Sequence, residues 1–136
     1  MRKLVLLSIV FILGFAPQSD KIQVFLIGDS TLANKAPGDA PATGWGMVLQ
    51  DYLESDKIKV QNHAVNGRST KSFINEGRWA TVLKEMKSGD YVFIQFGHND
   101  SKDQDTSRYA AANTDYRKNL LRFVNETRSK GGIPCQ

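Results

Sequence analysis

The sequence is poor in cysteine, with Cys135 alone near its carboxyl end, so no internal disulfide can staple the fold and stability must come from packing. Histidine is almost as scarce, limited to His63 and His98. With no cysteine or histidine cluster at metal-ligand spacing, the chain calls for no metal, and no organic cofactor is needed for the chemistry developed below. No glycine-rich phosphate loop occurs, which sets aside a nucleotide or flavin binder. No apolar run reaches the roughly 20 residues of a spanning helix, so no stable membrane anchor is expected. Charge is also unremarkable in amount: setting Arg2 and Lys3 aside leaves 16 basic against 14 acidic side chains, and no nucleic-acid partner is expected. Internal repeats and low-complexity tracts are absent.

What is present begins with Arg2 and Lys3, followed by an uncharged apolar run from Leu4 to Phe15 and then polar Gln18, Ser19 and Asp20. That order is the pattern of an export signal, read over residues 1–17, and it implies a secreted or periplasmic product. The rest, residues 21–136, is enough chain for one domain and too little for two.

Short apolar runs alternate with segments of helical period, as in a layered α/β domain with a parallel sheet. Residues 22–27 are apolar almost throughout, which suits a strand covered on both faces. Trp45, Val48, Leu49, Tyr52 and Leu53 recur at one-face spacing and predict a helix over 44–55 with Thr43 as N-cap. By the same spacing Trp45 and Trp79 are expected in the core. Residues 58–65 read as a second strand and 91–96 as a third. Trp79, Val82, Leu83 and Met86 mark one helix between them, and Ala112, Tyr116, Leu120, Phe123 and Val124 mark another. Gly131-Gly132-Ile133-Pro134 reads as a helix stop opening a fourth strand.

Three turn sequences close the three strands: Gly28-Asp29-Ser30-Thr31, Asn66-Gly67-Arg68-Ser69 and Gly97-His98-Asn99-Asp100. Each alone is an ordinary turn signal. Their separation of about one βα unit would deliver all three to the same edge of a parallel sheet, where ligand sites of open α/β folds form. In that order they resemble the first three sequence blocks of the SGNH, or GDSL-like, hydrolases. The Ser-Thr form of the first block, together with residues 62–73 and Gly97-His98-Asn99-Asp100, is most similar to the rhamnogalacturonan acetylesterase branch. The resemblance implies a flavodoxin-like three-layer α/β/α sandwich with a parallel sheet. It further implies Ser30 as nucleophile and an oxyanion hole made by the Ser30 amide, the Gly67 amide and the Asn99 side chain. The residue types suit these roles: a serine hydroxyl needs a base, a glycine lets its N–H approach closely, and an asparagine donates while neutral.

The family pattern also includes an Asp-x-x-His block, and the sequence contains none. The hydrolase domain is therefore expected to be carboxy-terminally truncated and inactive as this chain, with one side of the third strand unpaired and prone to aggregate. His98 is expected to cap or support Asn99 and His63 to be structural, neither serving as base. The implied substrate is an acetylated pectic polysaccharide, whose carboxylates Arg68 and Lys71, with nearby Arg78, could pair. A lipase, lysophospholipase or arylesterase would use the same apparatus and need an apolar acyl pocket; a non-catalytic carbohydrate-binding chain would keep the cradle without hydrolysis.

Overall fold

The computed structural model describes residues 20–39 and 41–136, and the apolar segment read as an export signal lies outside them. The order is β1 (Ile22–Gly28), β2 (Ile58–Asn62), α1 (Thr70–Asn75), α2 (Arg78–Glu85), β3 (Tyr91–Gln95), α3 (Arg117–Ser129) and β4 (Ile133–Cys135), with short 3-10 and π turns between. All strands run parallel in the order β2-β1-β3-β4. Helices and turns cover both faces of the sheet, so β1, at its centre, is apolar almost end to end.

The period of two sorts its side chains. Phe25 and Ile27 lie level with Val92 and Ile94 of β3, and all four pack under the helices with Phe73, Trp79, Val82, Met86 and Phe123. Trp79 and Phe123 meet edge to face at 4.9 Å, and the Trp79 indole N–H donates to Glu126 Oε2 (2.5 Å), which gives the buried ring its polar partner. On the opposite face Val24 and Leu26 pack with Leu32, Ala33 and Ala64. That second outer layer is thin, built from the segment after β1 and two 3-10 turns.

Those turns, Trp45–Met47 and Leu49–Tyr52, replace the helix expected over 44–55. The reason is close approach: a Cβ on Gly44 would lie 2.0 Å from Ala33 O, and one on Gly46 2.5 Å from Leu32 O. The backbone is pressed flat there, and the Trp45 amide is drawn away to Thr31 O (3.1 Å). Thr43 caps nothing in a helix, since the N-cap position of the first turn is Gly44. Trp45 is 41% exposed and leaves the core, whereas Trp79 is 1% exposed and belongs to it. Gln50 instead uses the segment to finish the sheet edge, donating to Ile58 O (3.3 Å) and accepting from the Val60 N–H (2.8 Å).

Other boundaries shift for local reasons. β2 stops at Asn62, whose Oδ1 takes the Ala64 N–H (3.1 Å). α1 begins with a reciprocal cap in which Ser69 Oγ accepts from the Ser72 N–H (3.2 Å) and Ser72 Oγ accepts from the Ser69 N–H (2.9 Å). The segment before α3 is a π-helical turn, Ala112–Tyr116. β4 pairs with β3 from Tyr91 to Phe93, so the side of the third strand expected to be bare is covered over those residues.

Phe123→Ala is expected to lower the unfolding free energy by about 3–5 kcal/mol in urea titrations, because it empties the junction of the aromatic cluster. Tyr52→Ala, at an 81% exposed position, should change it by less than about 0.5 kcal/mol. A comparable loss at Tyr52 would mean that residues 44–55 pack as the helix of the sequence reading.

Candidate active site

Parallel pairing leaves the carboxyl ends of β1, β2 and β3 at one edge, and the three loops that follow them are hydrogen-bonded together. The Val65 N–H donates to Gly28 O (3.1 Å), and the Asp29 N–H donates to Gln95 O (3.3 Å), so both outer loops start against the end of β1. Asp29 is buried, and its Oδ1 accepts from the Thr31 N–H and the Thr31 hydroxyl, both at 2.9 Å. That Asx turn holds half-buried Ser30 at the head of the strand. The Lys35 ammonium reaches back to donate to the Ser30 carbonyl and to Asn66 Oδ1 (2.8 Å), tying the first loop to the second.

Gly67 sits in a turn closed by the Arg68 N–H on Val65 O (3.2 Å) and adopts φ +77°, a conformation that strains any residue with a Cβ. Asn99, only 1% exposed, spans from the third loop to the second: its Nδ2 donates to Arg68 O (3.0 Å). Its Oδ1 accepts from the Lys102 ammonium (2.9 Å). Beside it the buried Asp100 Oδ1 accepts from the Thr70 N–H (3.0 Å) and the Thr70 hydroxyl, and Asn119 of α3 donates to that hydroxyl oxygen (3.0 Å). Asp100 Oδ2 is buried and has no hydrogen-bond partner among the described residues. Burial therefore raises the Asp100 pKa above its ordinary value, the Thr70 hydrogen bonds oppose the rise, and the nearby Asp29 charge adds to it.

The structure thus brings Ser30, Gly67 and Asn99 onto one connected set of loops. It does not bring a histidine to Ser30: among the described residues no side chain accepts a hydrogen bond from Ser30 Oγ. His98 is exposed, and its carbonyl, not its ring, takes the Ser101 hydroxyl (3.0 Å). His63 lies under α2, its ring 5.7 Å from Phe25 and its Nε2 3.8 Å from Glu85, with burial lowering its pKa and Glu85 opposing. Among the described residues no group of three or more His, Cys, Asp or Glu suits a metal ion.

A cleft of about 660 Å³ opens beside Gly67 and is lined by Arg68, Lys71, Glu76, Asp105 and Arg108. The two cations expected to meet substrate are both there, but partly engaged. Arg68 Nε lies 3.2 Å from both Glu76 oxygens, and Lys71 Nζ donates to Thr106 O (2.7 Å). Arg78 also holds Glu76, at 2.5 Å. Arg108 was not singled out by sequence: its Nη1 lies 3.6 Å from where a Gly67 Cβ would stand. Asp105 grips its Nε (2.5 Å) and is itself held down to a pKa of about 2, first by the Ser107 hydroxyl and then by Arg108. Lys102 and Thr70 were equally unmarked, because their partners come from folding rather than from a motif.

A parallel sheet with these loops at its carboxyl edge is the framework of the GDSL-like lipases and acylhydrolases, and the chain belongs to that family, whose model matches residues 24–134. Among its relatives is the rhamnogalacturonan acetylesterase RhgT of Bacillus subtilis, 43% identical over 113 residues that make up 83% of this chain and 47% of RhgT. A rhamnogalacturonan acetylesterase of Emericella nidulans is 38% identical over 89 residues, 65% of this chain and 32% of that protein. The chain spans about half the length of the first and of a second Bacillus subtilis relative, the probable rhamnogalacturonan acetylesterase YesY. The crystal structure of Bacillus subtilis YxiM superposes with a TM-score of 0.75 at 26% identity, covering 85% of this chain and 32% of that one. The esterase EstA of Pseudoalteromonas shares the fold, with a TM-score of 0.60 at 19% identity over 83% of this chain and 57% of its own.

Asp100 generates a pH dependence with a definite sign. Because its folded pKa lies above the ordinary 3.8, its contribution to stability is full below that pH and is lost as pH rises through the folded value. Asp100→Asn keeps an oxygen for Thr70 and removes the charge, so the variant's urea midpoint is expected to lack that decline between pH 3 and the neutral range. An unchanged decline in the variant would assign it to another group.

Proposed function

We propose that the chain carries the acyl-transfer apparatus of an exported serine esterase that removes acetyl groups from pectic polysaccharide. The observation that carries the reading is the hydrogen-bonded convergence of Ser30, Gly67 and Asn99 at one sheet edge. Ser30 Oγ bonds to the acetyl carbonyl carbon, and the carbonyl oxygen becomes an oxyanion facing the Ser30 N–H, the Gly67 N–H and the Asn99 amide. Collapse breaks the bond to the sugar oxygen, which leaves with a proton; water then cleaves the acetyl-serine and acetate departs. One such side-chain donor typically contributes ~3–4 kcal/mol to the transition state.

The proton on Ser30 Oγ needs an acceptor. With no Asp-x-x-His in the sequence and no base on Ser30 among the described residues, the 136-residue chain alone is expected to turn over slowly. The lack of a hydrogen-bond acceptor for Ser30 Oγ among the described residues is what a second reading would use, a chain that binds acetylated polysaccharide without hydrolysing it. A lipase is less well supported, because the cleft at Gly67 is lined by charged and polar groups. An apolar hollow of about 280 Å³ lies at the strand starts, among Ile22, Ile58 and Tyr91, at the other end of the sheet. Arg68 and Lys71 are proposed to meet polymer carboxylates, joined by Arg108. Export rests on Arg2, Lys3 and the apolar run behind them.

Exogenous imidazole offers Ser30 a base, and with it acetate release by the 136-residue chain from acetylated rhamnogalacturonan is expected to rise with imidazole concentration. Asn99→Ala should reduce the rescued rate about 10²–10³-fold and Ser30→Ala should abolish it. Polymer binding with no Ser30-dependent acetate under any imidazole concentration would establish the non-catalytic reading instead. Lys71→Gln or Arg108→Gln is expected to raise KM on the acidic polymer about tenfold while leaving a small neutral acetate ester unaffected; equal losses on both would remove them from carboxylate recognition.

A further inference from the structure

We propose that Lys102 is a positioning residue for Asn99, fixing which end of its amide serves as donor and strengthening that donor with its charge. The inference rests on the reading of Asn99 as an oxyanion donor.

An asparagine amide has an acceptor end and a donor end of nearly the same size, so only its neighbours decide which way it faces. Here the neighbours are of opposite kind. The Lys102 ammonium can only donate, and it lies 2.9 Å from Oδ1. The Arg68 carbonyl can only accept, and it lies 3.0 Å from Nδ2. A flipped amide would set an N–H against the ammonium and an oxygen against the carbonyl, two repulsions at a residue 1% exposed, where water cannot relieve them. Nδ2 carries two hydrogens, and Arg68 takes one, which leaves one for an oxyanion.

The charge adds a second effect. A hydrogen bond from an ammonium to an amide oxygen draws electron density from the nitrogen through the amide π system, making its N–H a stronger donor, and low surrounding dielectric enlarges this. The loop is shaped for the contact: the Ser101 N–H bonds back to Gly97 O (3.1 Å) and the Lys102 N–H to Asn99 O (3.4 Å), folding the chain so that a side chain three positions on covers Asn99. Lys35 makes a chemically similar contact with Asn66 Oδ1 (2.8 Å) and also holds the Ser30 carbonyl, but Asn66 is not the side chain read as oxyanion donor, so only the Lys102 contact bears on that donor. An unpaired lysine three residues after Asn99 would be solvated; this one is half-buried.

The test reads the Asn99 side-chain resonances of the ¹⁵N-labelled 136-residue chain, identified by their loss in Asn99→Asp, together with imidazole-rescued kinetics. In Lys102→Met the Nδ2 protons are expected to move upfield and to exchange with solvent about tenfold faster, with kcat falling about tenfold and KM unchanged, a fraction of the 10²–10³ attached to a whole oxyanion donor. Lys102→Arg should restore both. Lys102→Gln keeps a neutral donor and should hold the amide orientation while recovering kcat only in part, which separates orientation from charge. Unmoved Asn99 resonances in Lys102→Met, or an unchanged kcat, would overturn the proposal, as would a rise in KM equal to the fall in kcat. If Asn99→Ala instead leaves the rescued rate intact, the oxyanion reading itself fails, and with it any catalytic role for Lys102; the resonance shifts still report whether Lys102 orients the amide.

Discussion

The contact between Asp100 and Thr70 is the joint on which the site depends. It fastens the loop after β3 to the first turn of α1 through both the N–H and the hydroxyl of one residue, and Asn119 carries the connection on to α3. Asn99 is the residue before Asp100, so its approach to the Arg68 carbonyl is set by where that joint places the backbone. Three elements distant in sequence are thereby referred to one buried carboxylate. Its second oxygen has no partner among the described residues, so the joint holds against a desolvation penalty that hydrogen bonds to both oxygens would offset.

Much of this was legible in the sequence wherever a local rule also decides the fold. The apolar run 22–27 became the central strand because burial on both faces leaves no polar position, and the strand-end turns fell at one edge because parallel pairing allows no other arrangement. Trp79 was readable as core for the same reason of period. Residues 44–55 were not: their stripe has helical spacing, but Gly44 and Gly46 are there to let the backbone press on residues 32–33, and that purpose is invisible until the strand after which they pack is in place. The start of α1 was hidden because its reciprocal cap uses serine at the position where glutamate or glutamine would have signalled it.

At the candidate site the division is similar. Ser30, Gly67 and Asn99 could be named because their three strand-end turns, taken in order, resemble the sequence blocks of the GDSL-like hydrolases. Lys35, Thr70, Lys102 and Arg108 could not, since each acquires its meaning from a partner on another loop or from how its own loop folds back. Arg68 and Lys71 line the cleft beside Gly67 with less freedom than their charge alone implied, one shared with Glu76 and the other with the Thr106 carbonyl. The proposed pairing of these groups with polymer carboxylates would therefore be an exchange of partners rather than an attraction to bare charge, which favours geometry over simple attraction.

The short strand β4 has a bearing on how copies of the chain meet. In a parallel ladder successive residues turn their backbone groups to opposite sides, and the Ile133 N–H is spent inward on Asp90 O (2.8 Å). Pro134 is thus the residue of β4 that faces away from β3, and it has no N–H to give. A strand arriving at that edge finds a carbonyl and no donor. Among the described residues, β4 is thereby blunted at Pro134 as a template for a strand from a second copy, without a charge or a bulge being needed there.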